Sequence, residues 1–390
     1  MPKPDISRIE AVFYPVLAAV GIPVNVMAIV ILTRGKCNLS KCITCYLVAM
    51  ATADLMVIIC SVTLHRIAVL YWWDSFLLYT PVCRFIRFLS PTAIDCSVWL
   101  TVAFTFDRFV AICCQKLKTK YCTGKTAGLL LITLSLLLSL KNIPWAFVYR
   151  SYYRFNNMPQ GCLLSSNIYV APKWKAFFWI SQLLTPLLPF FLVLFLNTVT
   201  VRCILVASRA RRSFRDYKNS EKDKDAEMLN RRKSIVLLFA ISCSFILLWL
   251  TTVVYYLFYQ ISGSFKRRSA INHFATFQEA GIMLQLTSSC TNTAIYTVTQ
   301  SKFRQELLNV LKYPFALIAF QAVHCSSEQL TMQSENCAHF STGCFGQLSY
   351  ISGLCIRAHQ PIETGYPASG QLYIKTEITR NGIMYHSKRN

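Results

Sequence analysis

Thr44–Leu64, TCYLVAMATADLMVIICSVTL, is the stretch whose reading decides the fold. As a helix it is about 30 Å long, which matches the hydrocarbon core of a bilayer. Its only charge is Asp54, and its apolar residues run on without the alternation of a strand. Working outward, six further runs of the same kind occur at Val12–Leu32, Val82–Cys113, Thr126–Val148, Phe177–Val206, Ile235–Tyr259 and Phe274–Thr299. Continuous runs do not suit a β-barrel, whose strands alternate apolar and polar residues. The first run holds Asn25 and lacks a small-residue cleavage site, so it reads as a span and not as a signal peptide. The expectation is an all-α membrane protein, a bundle of seven transmembrane helices numbered here as spans one to seven. Composition agrees, with 54% hydrophobic and 15% charged residues in 390, whereas soluble domains carry about 25% charged residues.

The chain has 40 Lys+Arg against 17 Asp+Glu, a formal net charge of +23. No zinc-finger or RNA-binding motif accompanies that charge, and the basic residues lie between apolar runs, so nucleic acid is set aside as a partner. Position gives the charge its meaning. Arg34, Lys36 and Lys41 follow span one, Lys116, Lys118, Lys120 and Lys125 follow span three, a dense basic set from Arg209 to Lys233 follows span five, and Lys302, Arg304 and Lys312 follow span seven. The positive-inside rule makes this side cytoplasmic and puts the amino terminus outside a multi-pass plasma-membrane protein. The outer loops are basic too, with Arg150, Arg154, Lys173, Lys175, Lys266, Arg267 and Arg268. The expected organisation is an outer segment at 1–11, a seven-span domain over 12–300, a short amphipathic eighth helix over 301–313 on the inner leaflet, and a Ser/Thr-rich tail over 314–390 that reads as disordered.

Most of the 17 cysteines fall within spans or on the cytoplasmic side. Cys83 and Cys162 remain at the outer surface, where a disulfide is expected and two free thiols are the alternative. Ionisable groups within a bilayer need a partner or a function. Asp54, Asn25, Ser97, Ser288, Ser289 and Asn292 all fall near mid-depth by residue count and can converge. Such a cluster could hold a cation or a proton, or simply keep the helices in register by hydrogen bonding. Asp107–Arg108–Phe109 closes the cytoplasmic end of span three, 25 residues beyond Cys83.

Several motifs stand in one order: Gly21-x-x-x-Asn25, Leu47 with Ala53–Asp54, Cys83 with Cys162, Asp107–Arg108–Phe109 before Ala111–Ile112–Cys113, Pro189, Phe245-x-x-x-Trp249, and Asn292-x-x-x-Tyr296 followed by Phe303. Over Val12–Tyr313 this set resembles the rhodopsin-like (class A) G-protein-coupled receptors, and Ser97–Val102 is most similar to orphan G-protein-coupled receptor 139 and its relatives. The resemblance implies a receptor, not an enzyme, that binds an extracellular small molecule or short peptide and activates a heterotrimeric G protein. It assigns Arg108 a swing away from Asp107 on activation, makes Pro189, Val98 and Phe245 a packing switch, Trp249 the pocket floor, and Tyr296 an inward-moving group. Asp54, Ser97, Ser288 and Asn292 become a sodium site, so an allosteric Na⁺ is the one cofactor suggested. Helical spacing from these motifs aims His65, Arg87, Ser90, Asp95, Gln182, Tyr256 and Gln278 at the ligand. Ser90 replaces the aspartate of amine receptors and Leu286 the retinal-binding lysine of opsins, while Arg87 and the basic outer loops favour an acidic ligand. Tail residues from Ser326 to Thr342 suit phosphorylation for arrestin, and the basic cytoplasmic loops suit anionic lipid.

The sequence also departs from the family. Thr251 and Thr293 stand where spans six and seven usually carry proline, Phe109 and Asn197 replace tyrosines, Gln115–Lys116 replaces a Pro-Leu pair, and span four lacks its tryptophan. Arg231–Arg232–Lys233 offers no acid to hold Arg108, so a loose inactive state with basal signalling, or weakened coupling, is expected. A membrane enzyme is disfavoured because His65 and His273 lie far apart without a metal-ligand motif. A transporter or channel is disfavoured by the lack of internal repeats.

Overall fold

The computed structural model describes residues 4–72, 75–151, 153–155, 158–164, 171–214, 223–261, 268–312, 374–379 and 382–387. The chain divides into two units, Met1–Ala322 and Val323–Asn390.

In the first unit the spans are helices at Pro4–Thr33, Lys41–Tyr71, Thr80–Cys113, Gly124–Val148, 172–214, Asp223–Ile261 and Arg268–Thr299. Six are long and apolar enough to cross a bilayer by composition alone. The seventh is as long but more polar, and it packs along spans six and one, which completes the bundle. Local chemistry sets the helix starts: Ser40 caps span two by accepting from the Ile43 N–H at 3.3 Å, and Thr123 caps span four by accepting from the Thr126 N–H at 3.2 Å. A helix over 301–312 follows span seven where the amphipathic eighth helix was expected, with Phe303 buried and Leu308 and Leu311 exposed.

Span three is the central post, packing on spans two, four, five and six. The half of the core at the Arg108 end of span three gathers Ile31, Leu47, Met50, Phe104, Leu237, Tyr296 and Phe303. An outer cluster of Tyr14, Ile58, Val62 and Leu286 joins spans one, two and seven, and a third cluster joins spans three, five and six. Outside, Leu129, Ile132, Leu136 and Leu140 form an exposed stripe at helical spacing on span four, the first of them 69% exposed. A continuous apolar face of that kind is stable against lipid and not against water. Gly21 is required by packing: a Cβ there would meet Cys290 Sγ at 2.7 Å.

Two spans are irregular in their outer halves. Span two is π-helical over Ile58–Ile67, and span five leaves helical geometry at Thr185 (φ −153°, ψ 113°) just before Pro186. Spans six and seven, lacking their prolines, run unbroken. Between spans four and five the chain forms two short antiparallel ladders, β1 (Tyr149–Arg150) with β4 (Leu163–Leu164) and β2 (Tyr153–Phe155) with β3 (Met158–Gln160). The Cys83–Cys162 disulfide, the Thr80 Oγ1 hydrogen bond to the Gly161 carbonyl at 3.0 Å and the Arg84 Nε bond to the Tyr149 carbonyl at 2.8 Å clamp this hairpin to the top of span three.

In the second unit, β5 (Ile374–Thr379) and β6 (Gly382–Ser387) pair antiparallel within the tail whose composition reads as mostly disordered. The physical reason is local: Ile374, Thr376 and Ile378 alternate with charged residues, which suits a strand. The remainder of 314–390, including the arrestin-type Ser and Thr positions, lies outside the described residues.

Candidate functional site

Mid-bundle, the buried Asp54 is 1% exposed. Its Oδ1 accepts from Ser97 Oγ at 2.5 Å and its Oδ2 from Asn292 Nδ2 at 2.7 Å, so spans two, three and seven meet on one carboxylate. Ser288 does not join them. Its hydroxyl donates to the Gln285 carbonyl at 2.6 Å and accepts from Trp249 Nε1 at 3.3 Å. Asn25 also turns elsewhere, donating to the carbonyls of Gly21 and Ser289 at 2.9 and 2.8 Å and so tying span one to span seven. The ion pairs among the described residues leave Asp54 without a cation. A desolvated carboxylate in that position favours a proton or a bound cation. Beside it, a small cavity of about 10 Å³ is walled by Ser97, Thr101, Ser244, Ser288, Thr291 and Asn292 together with Ile241, Phe245 and Trp249. An oxygen-rich wall next to an uncompensated carboxylate fits a hard monovalent cation.

Within that wall, Phe245 stacks on Trp249 with ring centroids 5.3 Å apart. Phe245, Trp249, Val98, Val102, Phe190 and Val193 form one buried cluster, with Pro189 buried on the same span as Phe190. Of the expected packing-switch residues, Val98 and Phe245 are brought into one cluster, and Pro189 is buried beside Phe190 in sequence. At the end of span three opposite Cys83, Arg108 is 5% exposed, binds Asp107 through Nε and Nη2, and lies over the Phe104 ring at 5.8 Å. Its Nη1 donates to Ser234 Oγ of span six at 3.3 Å. Sequence reasoning overlooked Ser234, because it looked for an acid at the foot of span six and not for a hydroxyl. Asp107 also accepts from Cys42 Sγ at 3.3 Å. Cys122, in the following loop, has its thiol pushed up to about 11 by burial and then by the Asp107 charge, so it stays protonated, 3.8 Å from the Asp107 carbonyl. Tyr296 is fully buried against Phe303 at 5.9 Å, and its hydroxyl has no partner. Phe109 packs beside Phe106, with ring centroids 6.3 Å apart.

The outer half holds most of the residues expected to line the pocket, but not in one set. Gln182 hydrogen bonds with Tyr256, and Gln278 accepts from Tyr255 at 2.8 Å. Ser90 is bound to Ser61 at 2.7 Å. Asp95 corrects the spacing argument: it faces span four, accepting from Lys141 Nζ at 2.5 Å and Asn142 Nδ2 at 2.5 Å. The reason is electrostatic, since Lys141 is the cation that a desolvated carboxylate on that side of span three meets. Arg66 was also unanticipated. It joins Glu279 at 3.1 Å and Glu10 at 3.9 Å over the Tyr14 ring, stapling spans one, two and seven at their outer ends. His65 lies within electrostatic reach of Arg66 and Arg87, and Arg87 sits 5.0 Å from the centroid of the Tyr149 ring.

Comparison with known proteins agrees with this geometry. Residues 24–296 match the 7 transmembrane receptor (rhodopsin family). The chain is 26% identical over 314 residues to the thyrotropin-releasing hormone receptor of Gallus gallus, covering 74% of each chain, and 25% identical over 315 residues to that of Homo sapiens. It is 25% identical over 314 residues to C5a anaphylatoxin chemotactic receptor 1 of Oncorhynchus mykiss, covering 80% of this chain and 83% of the other. These relatives are receptors and not enzymes. With its seven helices, its Asp54 cluster and its Arg108 contact to span six, the chain belongs to the rhodopsin family of seven-transmembrane receptors.

Proposed function

We propose that this receptor sits in the plasma membrane with its amino terminus outside, binds an extracellular small molecule or short peptide beneath the β1–β4 hairpin, and activates a heterotrimeric G protein. The observation that carries the reading is the Arg108–Ser234 hydrogen bond. It joins spans three and six at the cytoplasmic end, below the continuous column of Val98, Phe245 and Trp249. A ligand that displaces Trp249 shifts span six, releases Arg108 from Ser234, and opens a docking cleft for Gα. Two states separated by a few kcal/mol suffice for such a switch. Asp54, Ser97 and Asn292 would hold a Na⁺ in the quiescent state, supplying the positive charge that Asp54 lacks. The similarity of Ser97–Val102 to the orphan receptor 139 branch supports an aromatic ligand. The relatives named for a hormone and an anaphylatoxin support a signalling molecule from outside the cell. Arrestin at the tail and anionic lipid at the basic loops complete the proposed partners.

The absent prolines in spans six and seven favour a second reading within the same class, a receptor with weakened coupling. Nucleotide exchange on a panel of Gα subunits, with Arg108→Ala as control, tests both. Exchange that depends on Arg108 supports signalling. No exchange above membranes without the receptor, with or without a ligand library, refutes it. Epitope tags at the two termini, read on intact and permeabilised cells, test the orientation.

A further inference from the structure

Arg87 is a cation of the outer half that is drawn inward, with its Nε buried, and that no described carboxylate neutralises. A guanidinium keeps its charge under all protein conditions. Here Nε is buried without a hydrogen-bond partner, and no described carboxylate lies within ion-pair distance. The acids of the outer half are engaged elsewhere: Glu10 and Glu279 with Arg66, and Asp95 with Lys141 and Asn142. Asp74 and the side chain of Asp5 lie outside the described residues. Tyr149 supplies Arg87 with its ring face and a side-chain hydrogen bond, neither of which cancels the charge. Nor can Tyr149 move off easily. Its carbonyl is bonded to Arg84, and the hairpin it opens is fastened to span three through Cys83–Cys162.

The surroundings specify more than a charge. Trp145 stacks near Tyr149 at 6.4 Å and meets Phe177 at 5.5 Å and Phe178 at 5.1 Å, giving a half-buried aromatic wall beside the guanidinium. We propose that Arg87 binds a carboxylate of the receptor's ligand, next to an aromatic group of that ligand held on the Trp145–Tyr149 wall. The proposal rests on the receptor reading and narrows its ligand to an aromatic, carboxylate-bearing molecule. A planar guanidinium takes such a group through two parallel N–H···O bonds, which Lys cannot reproduce. The carboxylate comes either from a free carboxy terminus or from an acidic side chain.

The test uses the purified full-length receptor in detergent, read by thermal unfolding, and so is independent of any G protein. N-acetyl-phenylalanine is compared with its amide, and acetyl-aspartyl-phenylalaninamide with its asparaginyl counterpart. With Kd near ~1 mM, about 10 mM of an acid-bearing probe raises the folded-to-unfolded ratio by about tenfold. The expected result is a rise in Tm with one acid-bearing probe and not with its neutral partner, lost in Arg87→Gln and reduced in Arg87→Lys. Which acid works identifies the source of the carboxylate. Without probe, Arg87→Gln is expected to be at least as stable as wild type, because it removes an uncompensated charge. Equal shifts with acid and amide, no shift with either acid, retention of the shift in Arg87→Gln, or a less stable Arg87→Gln each overturn the proposal. The receptor reading falls only on the separate nucleotide-exchange measurement.

Discussion

Breaking the Asp95–Lys141 pair should expose how strongly span four depends on it. Lys141 Nζ lies 2.5 Å from Asp95 Oδ2, with side chains 17% and 5% exposed, and Asn142 donates to the same oxygen. Lys141→Met keeps the aliphatic volume and removes the charge, leaving Asp95 desolvated with only Asn142. Losing one partner of a buried pair costs about 3–5 kcal/mol. The lower end applies here, since Asn142 remains and Lys141 is partly solvated, so we expect about 3 kcal/mol. At roughly 2 °C per kcal/mol for a large domain, Tm in detergent falls by about 6 °C. Asp95→Leu combined with Lys141→Met replaces both charges by apolar groups and is expected to recover most of that loss, because neither charge then needs solvation. A full double-mutant cycle by thermal unfolding gives the coupling. If Lys141→Met leaves Tm unchanged, or the double variant is as unstable as the single one, Asp95 does not depend on Lys141 and the account of span four is wrong.

Ser234→Ala removes one hydrogen bond worth about 1 kcal/mol and should raise basal nucleotide exchange roughly fivefold; unchanged exchange would mean Ser234 is not a latch. Replacing K⁺ with Na⁺ should raise the Tm of the wild type and leave Asp54→Asn unmoved, and a Na⁺ response surviving in Asp54→Asn would remove the cation from that site. An impermeant maleimide on intact cells should label neither Cys83 nor Cys162 until a reductant is added. Asn25→Ala deletes the bond to the Ser289 carbonyl and should cost about 1 kcal/mol with little change in the Asp54 contacts, read as a Tm drop with the Na⁺ response intact.

What could be read from sequence alone, and what could not, follows from the physics of the solvent. Hydrocarbon forbids unsatisfied backbone and isolated charge, so the seven spans and the unusual status of Asp54 and Arg108 are legible from composition and order. The meeting of Asp54 with Ser97 and Asn292, and of Phe245 with Trp249, was legible because those helices stay regular between the motifs. The outer half was not. There a π-helical stretch in span two and the break at Thr185 in span five change the angular step between residues, so counting from a motif no longer tells which way His65 or Gln182 points.

Partner choice was also beyond one-dimensional reading. Asp95 turns to Lys141, Arg66 to Glu10 and Glu279, and Arg108 to Ser234, pairs up to 213 residues apart in the chain. Sequence determined that this protein is a helical bundle in a membrane and which charges lie within it. Only the tertiary structure decided which of those charges are neutralised and which, like Arg87, have no ion-pair partner among the described residues. An ion pair depends on distance through space, and packing sets that distance.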